Sequence, residues 1–436
     1  MDFGDSRLQS PCSCQGLDLA CGGQAGAVYR CMLHRTNNLP TKNTRWEGEA
    51  MVETDNRMRR VLARFPLVDG HNDLPWELRE QFSGDLTQVD LTELSPTIQT
   101  DLPRLAQGGV AAQFWSVFVP ASFEGPAAVA AVLEQIDLVY RLVNRYSNRL
   151  ELARTADDVV RIAATGKIAS LIGAEGGHVI ASSLGVLRVL RALGVAYLTL
   201  THNANVEWAD SATDEPRAGG LSDFGRNVVR EMQRIGMLVD LSHVSADTMR
   251  DVLDVASVPI IFSHSSAFAL CRHPRNVPDD VLQAMAGNGG ICMVTFPPAF
   301  VSQEFADWQL GLMDEAGRRG LDRRDVSQVR AILPEWEASR PRPRSSIAQV
   351  ADHVDHIREV AGLPHVGLGG DFDGSADLTV GLTDVSCYPA LFDELCARSW
   401  TEAECEALAG GNIIRVLRDA QASAAPTPFT PEHADH

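Results

Sequence analysis

Lysine is nearly absent from this chain of 436 residues. Lys42 and Lys167 are the only lysines among 38 basic residues, and the other 36 are arginines. We interpret this bias as a reflection of genomic base composition. It still limits the chemistry, because any role that needs a lysine side chain has only these two positions.

Basic residues are also fewer than acidic ones. The 38 basic residues face 57 acidic ones, which gives a formal net charge of −19. Binding of nucleic acids or anionic membrane surfaces needs a basic footprint that neutralises phosphate. The charge balance therefore argues against both kinds of partner.

Long apolar runs are missing as well. No uninterrupted apolar stretch reaches the roughly 18 residues that a transmembrane helix needs. The first residues lack the apolar core of a secretory signal, and the last residues lack the hydrophobic tail of a lipid-anchor signal. We therefore expect a cytoplasmic protein with no membrane partner.

Cysteine is unevenly distributed and odd in number. Four of the nine crowd the start of the chain, at Cys12, Cys14, Cys21 and Cys31. An odd total in a large chain argues against a disulfide framework. The early four are candidate metal ligands, but their spacing matches no common zinc module.

The remaining sequence predicts a (β/α)8 TIM-type barrel with an insertion before the last strand. Short apolar runs alternate with amphipathic stretches, which favours parallel strands joined by helices. The predicted strands are Pro66–Asp69, Val110–Val119, Ile168–Ala174, Ala196–Thr201, Met237–Ser242, Pro259–Ser263, Ile291–Phe296 and His365–Gly370. Eight is the number of strands in such a barrel. A doubly wound sheet would instead need a glycine-rich phosphate loop after its first strand, and Asp69–Asp73 is not one.

The domain boundaries follow from composition. Residues 1–50 are rich in Gly, Ser, Asn and Cys without helix or strand periodicity, and we predict a disordered extension there. The barrel domain is expected over residues 51–420, followed by a flexible tail over 421–436. We interpret Pro297–Ser346 as the insertion, an exposed connection between strands.

Ionisable side chains follow six of the eight predicted strands. His71 and Asp73 come first, and side chains at i and i+2 of an extended chain share one face. The others are Glu175, His178, His202, His243, His264, Asp371 and Asp373. Each alone could be a surface histidine or a helix-capping aspartate. Because the strand ends of a barrel converge on one mouth, their recurrence indicates a shared metal centre.

This set of ligands is too large for one metal ion. A catalytic zinc ion takes three protein ligands and keeps one position open, whereas three imidazoles and two carboxylates suit two ions about 3.5–4 Å apart. Such a pair needs an anionic bridge. Lys167 precedes its strand and so lies at the wrong end of the barrel to provide a carbamylated lysine. Glu175, at the correct end, is the expected bridge.

The sequence resembles the membrane (renal) dipeptidase family, zinc peptidases of the amidohydrolase superfamily. The resemblance extends in collinear order from about Phe65 to Leu417. The matching runs are Val68-Asp-Gly-His-Asn-Asp-Leu-Pro75, Gln113–Val117, Gly173–His178, Ser182–Arg188, Tyr197–His202, Trp208–Asp210, Asp240–Ser245, Phe262–Ser266, Arg275–Asp279 and Gly369–Gly374.

The resemblance implies a ligand set for two zinc ions. His71 and Asp73 would bind the first ion, and His243 and His264 the second. Glu175 would bridge them together with a water or hydroxide, which would be the nucleophile.

The resemblance also implies roles for residues around the metals. Asp371 would orient the hydroxide and pass its proton to the leaving amine. His202 would polarise the scissile carbonyl, and Arg275 would hold the C-terminal carboxylate of the substrate. We interpret His178 and Asp373 as residues that support the ligands, or the fold, from outside.

We therefore expect a zinc-dependent dipeptidase of the membrane dipeptidase type. Its partners would be small L,L-dipeptides and, by resemblance, L,D-dipeptides, with a homodimer left open. Phe296–Phe300 lacks a tyrosine found nearby in the mammalian enzymes, so part of the pocket is expected to differ. Two alternatives remain: another binuclear amidohydrolase, such as a lactonase or deaminase, and a non-catalytic metal-binding scaffold.

Overall fold

Parallel strands form one sheet at the centre of the computed structural model, which describes residue 62, residues 65–321 and residues 326–425. The strands are β1 Leu67–Asn72, β2 Val110–Phe118, β3 Leu150–Leu152, β4 Ile168–Glu175, β5 Val195–Thr199, β6 Leu238–Asp240, β7 Ile261–Phe262, β8 Ile291–Val294 and β9 Val366–Leu368. β1 pairs with both β2 and β9, and β2 also pairs with β4. Eight strands thus close into a ring, and the short β3 pairs only with β4.

Helices surround this ring and connect its strands. They are α1 Leu74–Phe82, α2 Leu102–Gln107, α3 Pro126–Arg145, α4 Ala156–Ala163, α5 Leu184–Ala192, α6 Asp223–Arg234, α7 Ala246–Val255, α8 Asp279–Asn288, α9 Pro298–Val301, α10 Gln303–Arg318, α11 Val326–Ser339, α12 Ile347–Ala361, α13 Tyr388–Ala397, α14 Glu402–Glu406 and α15 Asn412–Ala422. A π-helical turn, Ala407–Gly411, joins the last two.

Local sequence explains where several of these helices begin. Ser183, Ser222 and Ser245 each precede a helix, and each hydroxyl accepts a hydrogen bond from a backbone N–H of the first turn. Such a cap satisfies a donor that has no partner within the helix. The serines therefore fix the points at which α5, α6 and α7 leave the barrel mouth.

The predicted (β/α)8 barrel is confirmed, and each of its eight predicted strands has a counterpart. β3 was not predicted, because three residues are too few to show a strand period. The insertion is confirmed in position, but its interpretation as an exposed connection is wrong. It contains α9, α10 and α11.

The insertion has a small apolar core of its own. The core residues are Trp308, Leu312, Ala316, Val329, Ile332, Leu333 and Trp336. The Arg340 guanidinium lies 4.1 Å from the Trp336 ring centroid, and that of Arg342 lies 5.1 Å from Trp308. Two arginines of the Arg/Pro-rich segment after α11 therefore pack against this core, although Arg340, Pro341 and Arg344 are exposed.

Side chains fill the interior of the ring. The Phe114 and Tyr197 rings, from strands that are not neighbours, lie with centroids 5.3 Å apart. Both are fully buried. Because strand residues alternate between faces, Gly173 and Glu175 of β4 share the inward face, and Glu175 ends that strand at the mouth.

Some sequence predictions fall outside the described residues. They are the extension over 1–50 with its four cysteines, and the tail beyond residue 425. The described cysteines are Cys271, Cys292, Cys387, Cys396 and Cys405, of which Cys271, Cys292 and Cys405 are buried. Within the described ranges, every helix is too short or too polar to cross a membrane.

His353 connects α12 to the loops at the barrel mouth. Its Nδ1 accepts a hydrogen bond of 3.0 Å from the backbone N–H of Ala267, and its Nε2 lies 3.0 Å from the carbonyl oxygen of Val301. The imidazole must be neutral to accept the first bond. Burial lowers its pKa to about 4.

We expect His353 to make the fold less stable in mild acid. Its folded-state pKa lies below the unfolded value of about 6.5, so the unfolded chain binds the proton more tightly and stability falls as pH drops through this window. The contribution lost between pH 7 and pH 5 is about 2 kcal/mol. Urea denaturation of chelator-treated protein at both pH values measures it. A His353→Gln variant should lose less stability over this interval than the wild type, and an unchanged loss would contradict the assignment.

Candidate active site

The structure brings the sequence-predicted metal ligands together at one mouth of the barrel. His71, Asp73 and Glu175 form one set, in which the ligand atoms all lie within 4.8 Å of one another. Glu175, His243 and His264 form a second such set. Glu175 belongs to both, so the two sets adjoin.

The carboxylate of Glu175 lies between the two sets of ligands. Its Oε2 lies 3.5 Å from Nε2 of His71, while its Oε1 lies 2.9 Å from Nε2 of His243 and 3.5 Å from Nε2 of His264. The Ser116 hydroxyl also donates to Oε2 at 3.3 Å. Although burial acts to raise it, the pKa of Glu175 is held well below its ordinary value by His71 and His243. Glu175 is therefore anionic and presents one oxygen to each set.

The Nε2 atoms of His243 and His264 face each other and are 3.0 Å apart. Burial, aided by the positive charge of Arg275, lowers the pKa of both imidazoles well below the ordinary value. Both are thus neutral, which is the form that binds metal ions.

His71 points its Nε2 into a space bordered by carboxylates. That atom is buried and makes no hydrogen bond of normal geometry within the described ranges, although Oδ2 of Asp73 lies 3.4 Å away. Burial alone would lower the pKa of His71, yet Tyr197, Glu175 and Asp73 together raise it well above its ordinary value. The site therefore favours a positive charge at this position.

The backbone is strained at two of the site residues. His243 and Asp371 have φ values of 72° and 59°, in the left-handed region that residues other than glycine rarely adopt. Such conformations cost of order 1 kcal/mol or more and persist where the surrounding structure fixes them, often at functional sites.

Asp371 lies beside both sets of ligands. One of its carboxylate oxygens lies within 4.8 Å of ligand atoms of His71 and His264. Its backbone N–H donates to the carbonyl of His71 at 3.3 Å, which connects the loop after β9 to the end of β1. Burial, together with the charges of Asp73 and Glu175, raises its pKa to about 8.

His202 and Arg275 lie close to this centre. The His202 ring is 4.4 Å from that of His243, and burial lowers its pKa to about 4. Arg275 is 3% exposed, and its guanidinium makes two long hydrogen bonds of 3.5 Å, to the Ser265 hydroxyl and the His264 carbonyl. It also lies 5.3 Å from the Phe300 ring centroid. Burial lowers its pKa to about 10, so it remains cationic at neutral pH. No carboxylate of the described ranges pairs with it within 4 Å.

The other two sequence-predicted residues lie outside the ligand sets. Asp373 accepts a hydrogen bond of 2.6 Å from the backbone N–H of Gln99, so it connects the loop after β9 to a neighbouring loop. His178 lies in the turn after β4, and burial lowers its pKa. Lys167 precedes β4 and binds Glu151 at 3.3 Å, far along the strand from Glu175.

Sequence reasoning assigned no role to the side chains that contact the ligands from behind. Tyr197, Ser263 and Ser116 contact His71, His264 and Glu175 directly, and Asp240 contacts Ser263. All four lie within, or within two residues of, runs that share the family pattern, but nothing in the linear pattern says which strand residue reaches a given ligand across the barrel.

A barrel whose strand ends deliver clustered imidazoles and carboxylates is the arrangement of metal-dependent hydrolases of the TIM-barrel type. The family model of the membrane dipeptidases (peptidase family M19) matches residues 55–430. The chain belongs to this family of metallopeptidases.

Individual relatives agree with this assignment. Dipeptidase 3 of Macaca fascicularis is 41% identical over 375 residues, which cover 85% of this chain and 68% of the relative. Dipeptidase 3 of Mus musculus is also 41% identical, over 377 residues, covering 84% and 68% respectively.

Solved structures share the fold at lower identity. The probable dipeptidase PvdM of Pseudomonas aeruginosa superposes with a TM-score of 0.75 at 22% identity, covering 86% of this chain and all of that one. A metallopeptidase of Rhodobacter sphaeroides, solved with a phosphinate mimic of L-Ala-D-Ala, gives a TM-score of 0.68 at 23% identity and covers 82% and 99%.

We expect chelator-treated protein to take up about two divalent cations per chain, as the two adjoining ligand sets suggest. His243→Ala should reduce this to about one, because it removes a ligand of the second set only. Elemental analysis after dialysis against Zn2+ measures the ratio. His356→Ala is the control, since His356 pairs with Asp279 in the helical layer. Equal metal content in all three proteins would contradict the assignment.

Proposed function

We propose that this protein is a dipeptidase that hydrolyses the peptide bond of dipeptides with the help of two zinc ions. The observation that carries the proposal is the Glu175 carboxylate, whose two oxygens face two separate sets of metal ligands. Membership of the dipeptidase family supports it.

The donor atoms fit two cations. Two imidazole nitrogens bound to one zinc ion at about 2.0–2.1 Å lie roughly 3–3.4 Å apart, and Nε2 of His243 and Nε2 of His264 are 3.0 Å apart. In the other set, the buried Nε2 of His71 has no hydrogen bond of normal geometry to any described residue and lies near two carboxylates. His71 and Asp73 would hold the first ion, His243 and His264 the second, and Glu175 would bridge them.

Asp371 would handle the proton of the reaction. When bound, two divalent cations supply a hydroxide nucleophile near neutral pH and polarise the substrate carbonyl. Asp73 and Glu175 would no longer raise the pKa of Asp371 once they hold cations, so the Asp371 carboxylate would be ionised. Its carboxylate can then accept a hydrogen bond from the attacking water, orient it, and pass the proton to the leaving amine.

His202 is suited to stabilise the oxyanion that develops on the scissile carbonyl. With its pKa near 4 it is neutral at pH 7, so one ring nitrogen carries a hydrogen that can be donated. Its ring packs against Phe118 at 4.7 Å and against His243, which limits its movement. A fixed donor of this kind is worth about 2.7–4 kcal/mol in other enzymes.

Arg275 explains why the substrate would be a dipeptide. A buried cation without a carboxylate partner is costly, and an incoming carboxylate removes this cost while it gains a bidentate hydrogen bond. If the C-terminal carboxylate binds there, the bond beside the metal ligands is the last peptide bond of the substrate, and in a dipeptide this is the single peptide bond.

We expect Asp371→Asn to reduce kcat by about 10²–10⁴-fold, because the amide can neither accept nor deliver the proton. Zinc content should be unchanged, since the five ligands remain. Steady-state kinetics on an L,L-dipeptide together with elemental analysis test this. Retained activity would refute the role of Asp371. Activity lost together with zinc would show that Asp371 acts as a ligand instead.

We expect Arg275→Met to raise KM for dipeptides by roughly 10–150-fold, from the loss of a charge-assisted contact worth about 1.5–3 kcal/mol. The matched control is a dipeptide amide, which lacks the carboxylate and should be hydrolysed equally by wild type and variant. Unchanged dipeptide kinetics would favour another binuclear amidohydrolase, such as a lactonase or deaminase.

A substrate screen separates the remaining alternatives. Chelator-sensitive hydrolysis of dipeptides supports the proposal, turnover of lactones or amino heterocycles supports another amidohydrolase, and metal binding without turnover supports a scaffold. The screen should include L,D-dipeptides, because the Rhodobacter sphaeroides neighbour binds a mimic of L-Ala-D-Ala.

A further inference from the structure

Two of the three proposed histidine ligands touch a hydroxyl group through the ring nitrogen that faces away from the metal site. Nδ1 of His71 lies 2.9 Å from the hydroxyl of Tyr197, and Nδ1 of His264 lies 2.8 Å from the hydroxyl of Ser263. The third, His243, has no hydrogen-bond partner for Nδ1 within the described ranges.

We propose that the hydroxyls of Tyr197 and Ser263 position the metal ligands by fixing which nitrogen of His71 and of His264 carries the proton. This proposal rests on the proposed metal site. A neutral imidazole that binds a cation through Nε2 must carry its hydrogen on Nδ1, and a hydrogen-bond acceptor beside Nδ1 selects that tautomer.

Each hydroxyl has a second partner that takes its own hydrogen. The Ser263 hydroxyl donates to Oδ2 of Asp240 at 2.6 Å. Since a hydroxyl has one hydrogen, it can only accept from Nδ1 of His264. The Tyr197 hydroxyl likewise donates to the carbonyl oxygen of Gly70 at 3.2 Å, which leaves it an acceptor for His71.

Asp240, which accepts the hydrogen of the Ser263 hydroxyl, is itself held in place by other hydrogen bonds. Its Oδ2 also accepts from the Thr199 hydroxyl at 2.5 Å, and its Oδ1 accepts from the backbone N–H groups of Ser242 and Ser263 at 3.1 and 2.8 Å. With two donors at each oxygen, the Asp240 side chain acts as an acceptor in all four contacts. The hydrogen bonds of His264, Ser263 and Asp240 therefore all point the same way. Nδ1 of His264 donates to the Ser263 hydroxyl, which donates to Asp240, so each hydrogen points away from the metal site.

Gly173 makes room for the Tyr197 ring. A Cβ atom at residue 173 would lie 2.0 Å from Cζ of Tyr197. The ring therefore crosses the barrel interior over the backbone of β4 to reach the end of β1. Tyr197 and Asp240 are fully buried, as is Ser263, so water does not compete for these contacts.

We expect Tyr197→Phe and Ser263→Ala to weaken Zn2+ binding by about 10–100-fold, as loss of partners behind metal ligands does elsewhere. The probe is the chelator-treated full-length protein titrated with Zn2+ against a competing chelator. Matched controls remove buried hydroxyls away from the site. Tyr146→Phe loses a bond to the Leu91 N–H, and Ser345→Ala loses a bond to Thr379. Both should bind Zn2+ like the wild type.

A second measurement reads the tautomers directly. In Zn2+-loaded protein with ¹⁵N-labelled histidine, Nδ1 of His71 and Nδ1 of His264 should each carry a hydrogen that exchanges slowly with solvent. Tyr197→Phe should speed exchange at His71 alone, and Ser263→Ala at His264 alone.

The outcomes separate this inference from the proposed function. If Tyr197→Phe and Ser263→Ala both keep the wild-type Zn2+ affinity and the wild-type rate of Nδ1 hydrogen exchange, the inference is overturned, even if the protein cleaves dipeptides. If both variants bind Zn2+ more weakly, the inference is supported, even if the wild type cleaves no dipeptide. Equal weakening in the two control variants would also overturn it, because the effect would then reflect general destabilisation.

Discussion

The position of the Glu175 carboxylate is the constraint on which the candidate site depends. One oxygen faces His71 and the other faces His243 and His264, so a small rotation of this side chain would disturb both ligand sets at once. The fold restricts that rotation. β4 pairs with β2 along seven residues that end at Glu175, and the Ser116 hydroxyl of β2 contacts the same carboxylate.

Charge balance is the second constraint. Carboxylates and neutral imidazoles converge in a buried space, and His71 has a raised pKa because carboxylates surround it. A proton there supplies part of the missing positive charge, and a bound cation would supply it more fully. Close to His264, the buried Arg275 pairs with no carboxylate within 4 Å among the described residues. The site thus has one place that favours a cation and another that favours an anion, close together.

The sequence predicted much of this arrangement because barrel strands are marked by apolar runs and their ends by ionisable residues. His71, Glu175 and Asp371 could be found in this way. The position of the insertion could also be found, but its helices could not, because Pro334 interrupts the helical pattern of α11 and an Arg/Pro-rich run follows it. The roles of Tyr197 and Ser263 could not be predicted either. Tyr197 on β5 meets His71 on β1 only because the sheet closes into a ring.

The pairing of β1 with β9 has a consequence for how the protein matures. Asp69 of β1 lies beside Leu368 of β9, so residues from opposite ends of the domain meet at this seam. Contacts between distant segments form slowly, because a long loop must be closed first. On the ribosome, the loop that carries Asp371 emerges long after His71, and the two residues can meet only when the seam forms. The candidate site is therefore complete only after the last strand has joined the barrel.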